Sequence, residues 1–373
     1  MRMERTTLSL LSILLLASAL PVAAQPQVVD RYRQQWEQAV ARQGLDPAMV
    51  VHPLAASEEM YQAALQAAGL REPREQLRQL QAWLFDPQQF PFDYEARETL
   101  TAREAFAARR GNCVSFTNLF IALGRSLGVP LQAALIQRGD SELEGDLVVI
   151  NTHMVAVYQH SDGAVIYDFS RASNRTLTGM WVMDDVWVSA VYMNNKAVEA
   201  IRGERYDEAV EILDRVLRLT PDFTAAYGNL GVAHRLAGQP DLAFDVYHRA
   251  LELEARDPTV LNNLASLLRS LGRTAEAQAA LKAASLRGAT PYLLVTRGDL
   301  EAREGNVREA KKLYRRAHKE DQTLPEPLLA LARLYREQNQ PDAARRYVRR
   351  ALRLDPEHPE AVRLAERLGL DTN

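Results

Sequence analysis

The sequence predicts an α+β domain in its first half and an all-α solenoid of helical hairpins in its second. Two observations carry this. Between residues 194 and 370, small residues return at intervals of 34, 34, 33 and 34. Between residues 101 and 170, a strongly apolar helical stretch is followed by three segments rich in strand-forming residues. At 373 residues the chain is long enough for two or three folded units.

The repeat is the stronger signal. Ala209, Ala243, Ala277, Ala310 and Ala344 set the period, and Val216, Ala250, Ala284, Ala317 and Ala351 follow each by seven residues. Twelve residues before each alanine stands another small residue: Ala197, Gly231, Ala265, Gly298 and Ala332. Antiparallel helices approach closely only where side chains are small. Gly203, Gly238, Gly272, Gly305 and Asn339 lie where each first helix should end, as left-handed caps. Apolar residues such as Ile212, Leu213, Leu313 and Tyr314 fill the seam to the next hairpin. The spacing resembles the tetratricopeptide repeat, five times over residues 191–358, with a capping helix and tail over 359–373. The resemblance implies an interaction surface. Asn195, Asn229 and Asn263 recur every 34 residues on three successive first helices, and Thr296 and Ala330 end the series. A column of amides both donates and accepts, and so suits the backbone of an extended peptide.

The N-terminus has the form of an export signal over residues 1–24. Arg2 and Arg5 precede an apolar run of 13 residues, 8–20, and Val22-Ala23-Ala24 stands before Gln25 as a cleavage site. The run is shorter than the roughly 20 residues that span a bilayer. The expected location is therefore periplasmic or secreted. The net charge of −3 gives no reason to expect nucleic acid as a partner. An exported chain with one cysteine, Cys113, forms no internal disulfide, which draws attention to that thiol.

Residues 25–85 read as a helical segment, with helices over 28–42, 57–68 and 73–85. An extended stretch follows over 86–94. Thr101 and Glu104 make a capping box for a short helix. Gly111-Asn112 breaks it, and a second helix runs from Cys113 to Leu127, stopped by Gly128 and Pro130. Phe116, Phe120, Leu123 and Leu127 make that helix central and buried. A thiol at its start meets unpaired N–H groups and the positive end of the helix dipole, which favour a thiolate. Strands are expected over 131–137, 147–159 and 164–170. The second contains His153 and the third Asp168. The acidic stretch with Asp140, Glu142, Glu144 and Asp146 lacks the calcium-loop pattern and reads as a solvated loop. His160, at a turn, is a rival base to His153. Trp181 and Trp187 are expected to pack the junction between the halves.

The segments GNCVSFTNLFIALGRSLGVP (111–130), NTHMVAVY (151–158) and VIYDFS (165–170) resemble the core of the transglutaminase-like superfamily, a branch of the papain-like cysteine fold. The resemblance places that domain over residues 86–190. It implies Cys113 as nucleophile, His153 as base, Asp168 as the group that orients the imidazole, and no metal or cofactor. It further implies acyl transfer at a peptide or isopeptide bond, to water or to an amine. A non-catalytic adaptor or envelope scaffold is the alternative that the same architecture allows.

Overall fold

The structure, a computed structural model, describes residues 25–95, 97–136, 140–144, 147–151, 154–169, 180–285, 291–356 and 358–370. Its first half opens with three helices: α1 (Gln25–Arg42), α2 (Glu58–Ala68) and α3 (Pro73–Phe85). Ser57 caps α2 by accepting from the Met60 N–H, and Pro73 sits in the first turn of α3. Strand β1 (Asp93–Tyr94) pairs in parallel with β2 (Arg110–Gly111), around helix α4 (Ala102–Ala108). The expected capping box of Thr101 and Glu104 starts α4. Helix α5 (Cys113–Ser126) follows, and every residue from Val114 to Ser126 is buried.

Six further strands follow: β3 (Leu131–Ile136), β4 (Asp140–Glu144), β5 (Leu147–Asn151), β6 (Met154–His160), β7 (Gly163–Tyr167) and β8 (Met180–Met183). An antiparallel sheet of order β7-β6-β3-β8 backs α5, while β4 and β5 form a separate hairpin. This corrects two expectations. The apolar runs on either side of residues 152–153 look like one strand, but they belong to two different sheets. The acidic stretch is not a solvated loop, because Asp140–Glu144 pairs along its whole length with Leu147–Asn151. Strand β8 has no counterpart in the sequence reading. It is an edge strand paired to β3, and alternation over four residues is too short to stand out.

The second half contains the five expected hairpins. They are α6 (Asp185–Arg202) with α7 (Tyr206–Leu219), α8 (Thr224–Leu236) with α9 (Pro240–Leu253), and α10 (Pro258–Ser270) with α11 (Thr274–Ser285). Then come α12 (Pro291–Arg303) with α13 (Val307–Glu320), α14 (Glu326–Glu337) with α15 (Pro341–Leu354), and the cap α16 (Pro359–Arg367). Gly238, Gly272, Gly305 and Asn339 take the left-handed conformation after their first helices. In the first hairpin that role falls to Glu204 (φ 58), not to Gly203 (φ −81). Helix α6 is 18 residues long, and Glu204 is the residue in register with Gly238.

One apolar core runs without a break from Trp36 through α5 and into the second hairpin at Ala233. At the far end, the Arg97 guanidinium lies 3.5 Å from the Asp355 carboxylate, so the last hairpin curls back to the loop before α4.

Within each hairpin a small residue on the first helix stands sixteen positions before a larger buried residue on the second. Ala197, Ala265 and Ala332 go with Leu213, Leu281 and Val348, whereas Gly231 and Gly298 go with Tyr247 and Tyr314. A Cβ on Gly231 would lie 2.3 Å from the Tyr247 ring, and one on Gly298 would lie 2.4 Å from Tyr314. The two choices fill the same space from opposite sides. Gly231→Ala is therefore expected to destabilise the chain by about 1–3 kcal/mol despite the better helix propensity of alanine. Tyr247→Leu should restore part of that loss in the double variant. Urea melts of the single and double variants measure both effects.

Candidate functional site

Cys113 is the first residue of α5 and is half-buried. The turn before it is tightly determined. Gly111 sits at φ +143, and a Cβ there would lie 2.5 Å from the Ser115 Cβ, so only glycine fits. Asn112 is the N-cap: its Oδ1 accepts from the Ser115 N–H at 3.0 Å, and its Nδ2 donates to Thr99 Oγ1 at 2.8 Å. The Asn112 N–H donates to the Glu98 carbonyl at 3.1 Å, and the Leu100 N–H to Ser115 Oγ at 2.8 Å. A thiol held this way projects from a helix start whose N–H groups favour negative charge on sulfur or on an adjacent oxygen.

The turn of α5 that follows Cys113 carries the contacts that define the site. Thr117, one turn along α5, donates its hydroxyl to the Met154 carbonyl at 3.1 Å. Met154 follows His153 directly in the sequence. Phe116 stacks on Phe169 with ring centroids 4.4 Å apart, and Phe169 follows Asp168. Asp168 itself is partly buried, one residue beyond Tyr167, which pairs with Ala156 of β6. The structure thus brings the first turn of α5, just past Cys113, against Met154 and Phe169, the residues that follow His153 and Asp168 in the sequence. His153 lies outside the described residues.

His160, the other candidate base, lies six residues beyond Met154. It ends β6, where its Nδ1 accepts from the Asp162 N–H at 3.1 Å and its ring lies against Arg74. Trp181 and Trp187 meet edge to face at 4.4 Å, and Trp187 reaches Phe223, just before α8, at 5.2 Å. They pack the junction as expected.

An aromatic cleft of about 410 Å³ opens beside the thiol helix, lined by Phe85, Phe90, Phe92, Tyr94, Phe116 and Phe169 among others. The sequence reading did not single it out, because its walls come from three separated segments. Phe85 is 54% exposed there, unusual for a large aromatic side chain.

On the other side of α5 lies a buried polar cluster that was also not foreseen. Arg125 of α5 makes a bidentate pair with Asp185 of α6, at 2.7 and 3.0 Å. His52 stacks on Trp36 at 4.6 Å and approaches the same carboxylate at 3.6 Å. Trp36 Nε1 donates to Ser189 Oγ at 2.9 Å. Burial pushes the Asp185 pKa up, but the His52 imidazole close by and the charge and hydrogen bonds of Arg125 outweigh it and hold the group at about 2.

Asn195, Asn229 and Asn263 fall on α6, α8 and α10, all three buried. Asn229 Nδ2 donates to the Asn194 Oδ1 at 2.9 Å, linking the first two hairpins. Strand β5 lies against these same three helices.

An α+β domain with a half-buried thiol at the head of its central helix, followed by a stack of helical hairpins, defines a class, and sequence comparison agrees. Residues 61–190 match the model of the transglutaminase-like superfamily, while residues 194–260, 259–286 and 301–368 match tetratricopeptide repeat models. The chain is a transglutaminase-like domain followed by a tetratricopeptide-repeat solenoid. The photosystem I assembly protein Ycf3 of Prochlorococcus marinus (strain MIT 9303) is 31% identical over 108 residues, 26% of this chain and 62% of that protein. The small glutamine-rich tetratricopeptide repeat-containing protein 2 of Saccharomyces cerevisiae is 26% identical over 92 residues, 25% of this chain and 26% of that protein. Among solved structures, a thermophilic tetratricopeptide protein of Thermus thermophilus matches with TM-score 0.43 and 23% identity, over 47% of this chain and 97% of that one. PilF of Pseudomonas aeruginosa matches with TM-score 0.38 and 21% identity, over 48% and 82%.

The Asp185 carboxyl titrates well below its ordinary value in the folded chain. Its contribution of about 2 kcal/mol is present in full above about pH 4 and is lost as pH falls through 2. Asp185→Asn is expected to cost about 3–5 kcal/mol at pH 7, because Arg125 is left buried without its partner. Urea unfolding from pH 6 to pH 2 should show a weaker acid dependence in the variant.

Proposed function

We propose that the chain is an exported thiol acyl-transfer enzyme acting on peptide or isopeptide bonds, with the solenoid holding a protein partner or substrate. The observation that carries this is the pair of contacts one turn beyond Cys113, Thr117 to Met154 and Phe116 to Phe169. They fix the thiol helix against the residues that neighbour His153 and Asp168. A tetratricopeptide stack supports protein binding.

In this reading His153 takes the Cys113 proton, and the thiolate attacks the amide carbonyl. N–H groups at the start of α5 hold the developing oxyanion. The C–N bond breaks, and the amine leaves with the proton from the imidazolium. Asp168 keeps the imidazole in the required tautomer. Water or a second amine then attacks the thioester, releasing the acyl group and restoring the thiol. The aromatic cleft next to Phe116 supports a substrate with an apolar or aromatic side chain beside the scissile bond.

The test is the rate of Cys113 alkylation by iodoacetamide as a function of pH, in the wild type and in His153→Ala. Fast alkylation well below the free-thiol pKa of about 8.5, lost in the variant, supports the thiolate–imidazole pair. Alkylation that follows an ordinary thiol and is unchanged in the variant overturns it and leaves the non-catalytic adaptor. Export is tested separately. The mature protein recovered from cells should begin at Gln25, and a mature chain that retains residues 1–24 contradicts signal cleavage.

A further inference from the structure

The β4–β5 hairpin is not part of the main sheet; it forms its own two-stranded sheet. Strand β5 lies against α6, α8 and α10, the first helices of three consecutive hairpins. We propose that this inner face is a binding site for an extended strand, and that β5 of the same chain is its resident occupant. An external partner must displace it.

Dimensions and chemistry both fit. Five residues of strand extend about 17 Å. Three adjacent helices at 8–10 Å spacing span about 16–20 Å. The three helices carry buried amides and a hydroxyl: Asn195, Asn229, Asn263 and Ser266. Such groups are costly to bury against apolar surface and well suited to strand backbone. Near the ends of the three helices, Arg202, Arg235 and Arg269 recur at intervals of 33 and 34. The sequence of β4 holds Asp140, Glu142 and Glu144, of the opposite charge. A competing partner is therefore an acidic, strand-forming protein segment. The inference rests on the protein-binding reading of the solenoid and is independent of the thiol chemistry.

Two measurements on the full-length chain test it. The first is hydrogen exchange of residues 147–151 in the wild type and in Asn229→Leu/Asn263→Leu. Exchange there should speed up at least tenfold in the variant, while α5 and β6 stay protected. Unchanged exchange of β5 overturns the proposal. The second covers the case in which that variant does not fold. A labelled peptide, DSELEGDLVVIN (residues 140–151), is titrated into the wild type and into Val148→Gly/Val149→Gly, which weakens the resident strand. Binding at least tenfold tighter to the variant supports the proposal, and equal affinity or no binding to either chain overturns it. None of these outcomes bears on Cys113 alkylation, so the two readings fail separately.

Discussion

Helix α6 belongs to both halves of the molecule, and most of the architecture follows from that constraint. Its first turn supplies Asp185 to Arg125 of the thiol helix, and Ser189, one turn on, accepts from Trp36 of α1. Its remaining length forms the first helix of the solenoid, packed on α7. The two halves are therefore not beads on a linker. One core cluster passes through the junction, and a hinge there would open apolar surface to water. The buried Arg125–Asp185 pair is costly to desolvate. Its value lies in fixing the orientation of α6 relative to α5, because a displaced partner leaves a charge without compensation.

The solenoid was legible in the sequence because its packing rule is local and repeats. A residue sixteen positions on decides whether alanine or glycine is tolerated, and Gly231 with Tyr247 restates what Ala197 and Leu213 say in other sizes. The thiol helix was legible for a different reason. Its cap, its apolar face and its stop signals are all encoded within residues 111–130. What escaped was non-local. Nothing in the run around residues 147–159 shows that its first part leaves the sheet for the solenoid. The aromatic cleft is assembled from residues 84–94, Phe116 and Phe169, and only the fold brings those together. Gly203 was misplaced by one residue, because composition marks a cap while the register of the helix decides where it falls.

The surroundings of Cys113 show how little freedom the chain has at the head of α5. Glycine is required at 111 by contact with Ser115, Asn112 is committed to both the cap and Thr99, and Thr117 ties the next turn to β6. These contacts fix the backbone from which the Cys113 side chain leaves the helix.

The contact between Arg97 and Asp355 is weak as an ion pair, since both groups are partly exposed. It matters as a measure of curvature. Repeat arrays ordinarily tolerate gain or loss of a unit, because each unit touches only its neighbours. Here Asp355, at the end of the last hairpin, also meets Arg97 of the first domain. Adding or deleting one 34-residue unit would move that end away from its partner loop. A change in the number of hairpins would thus remove a contact between the two halves of the chain, one that a stack touching only its neighbours does not have.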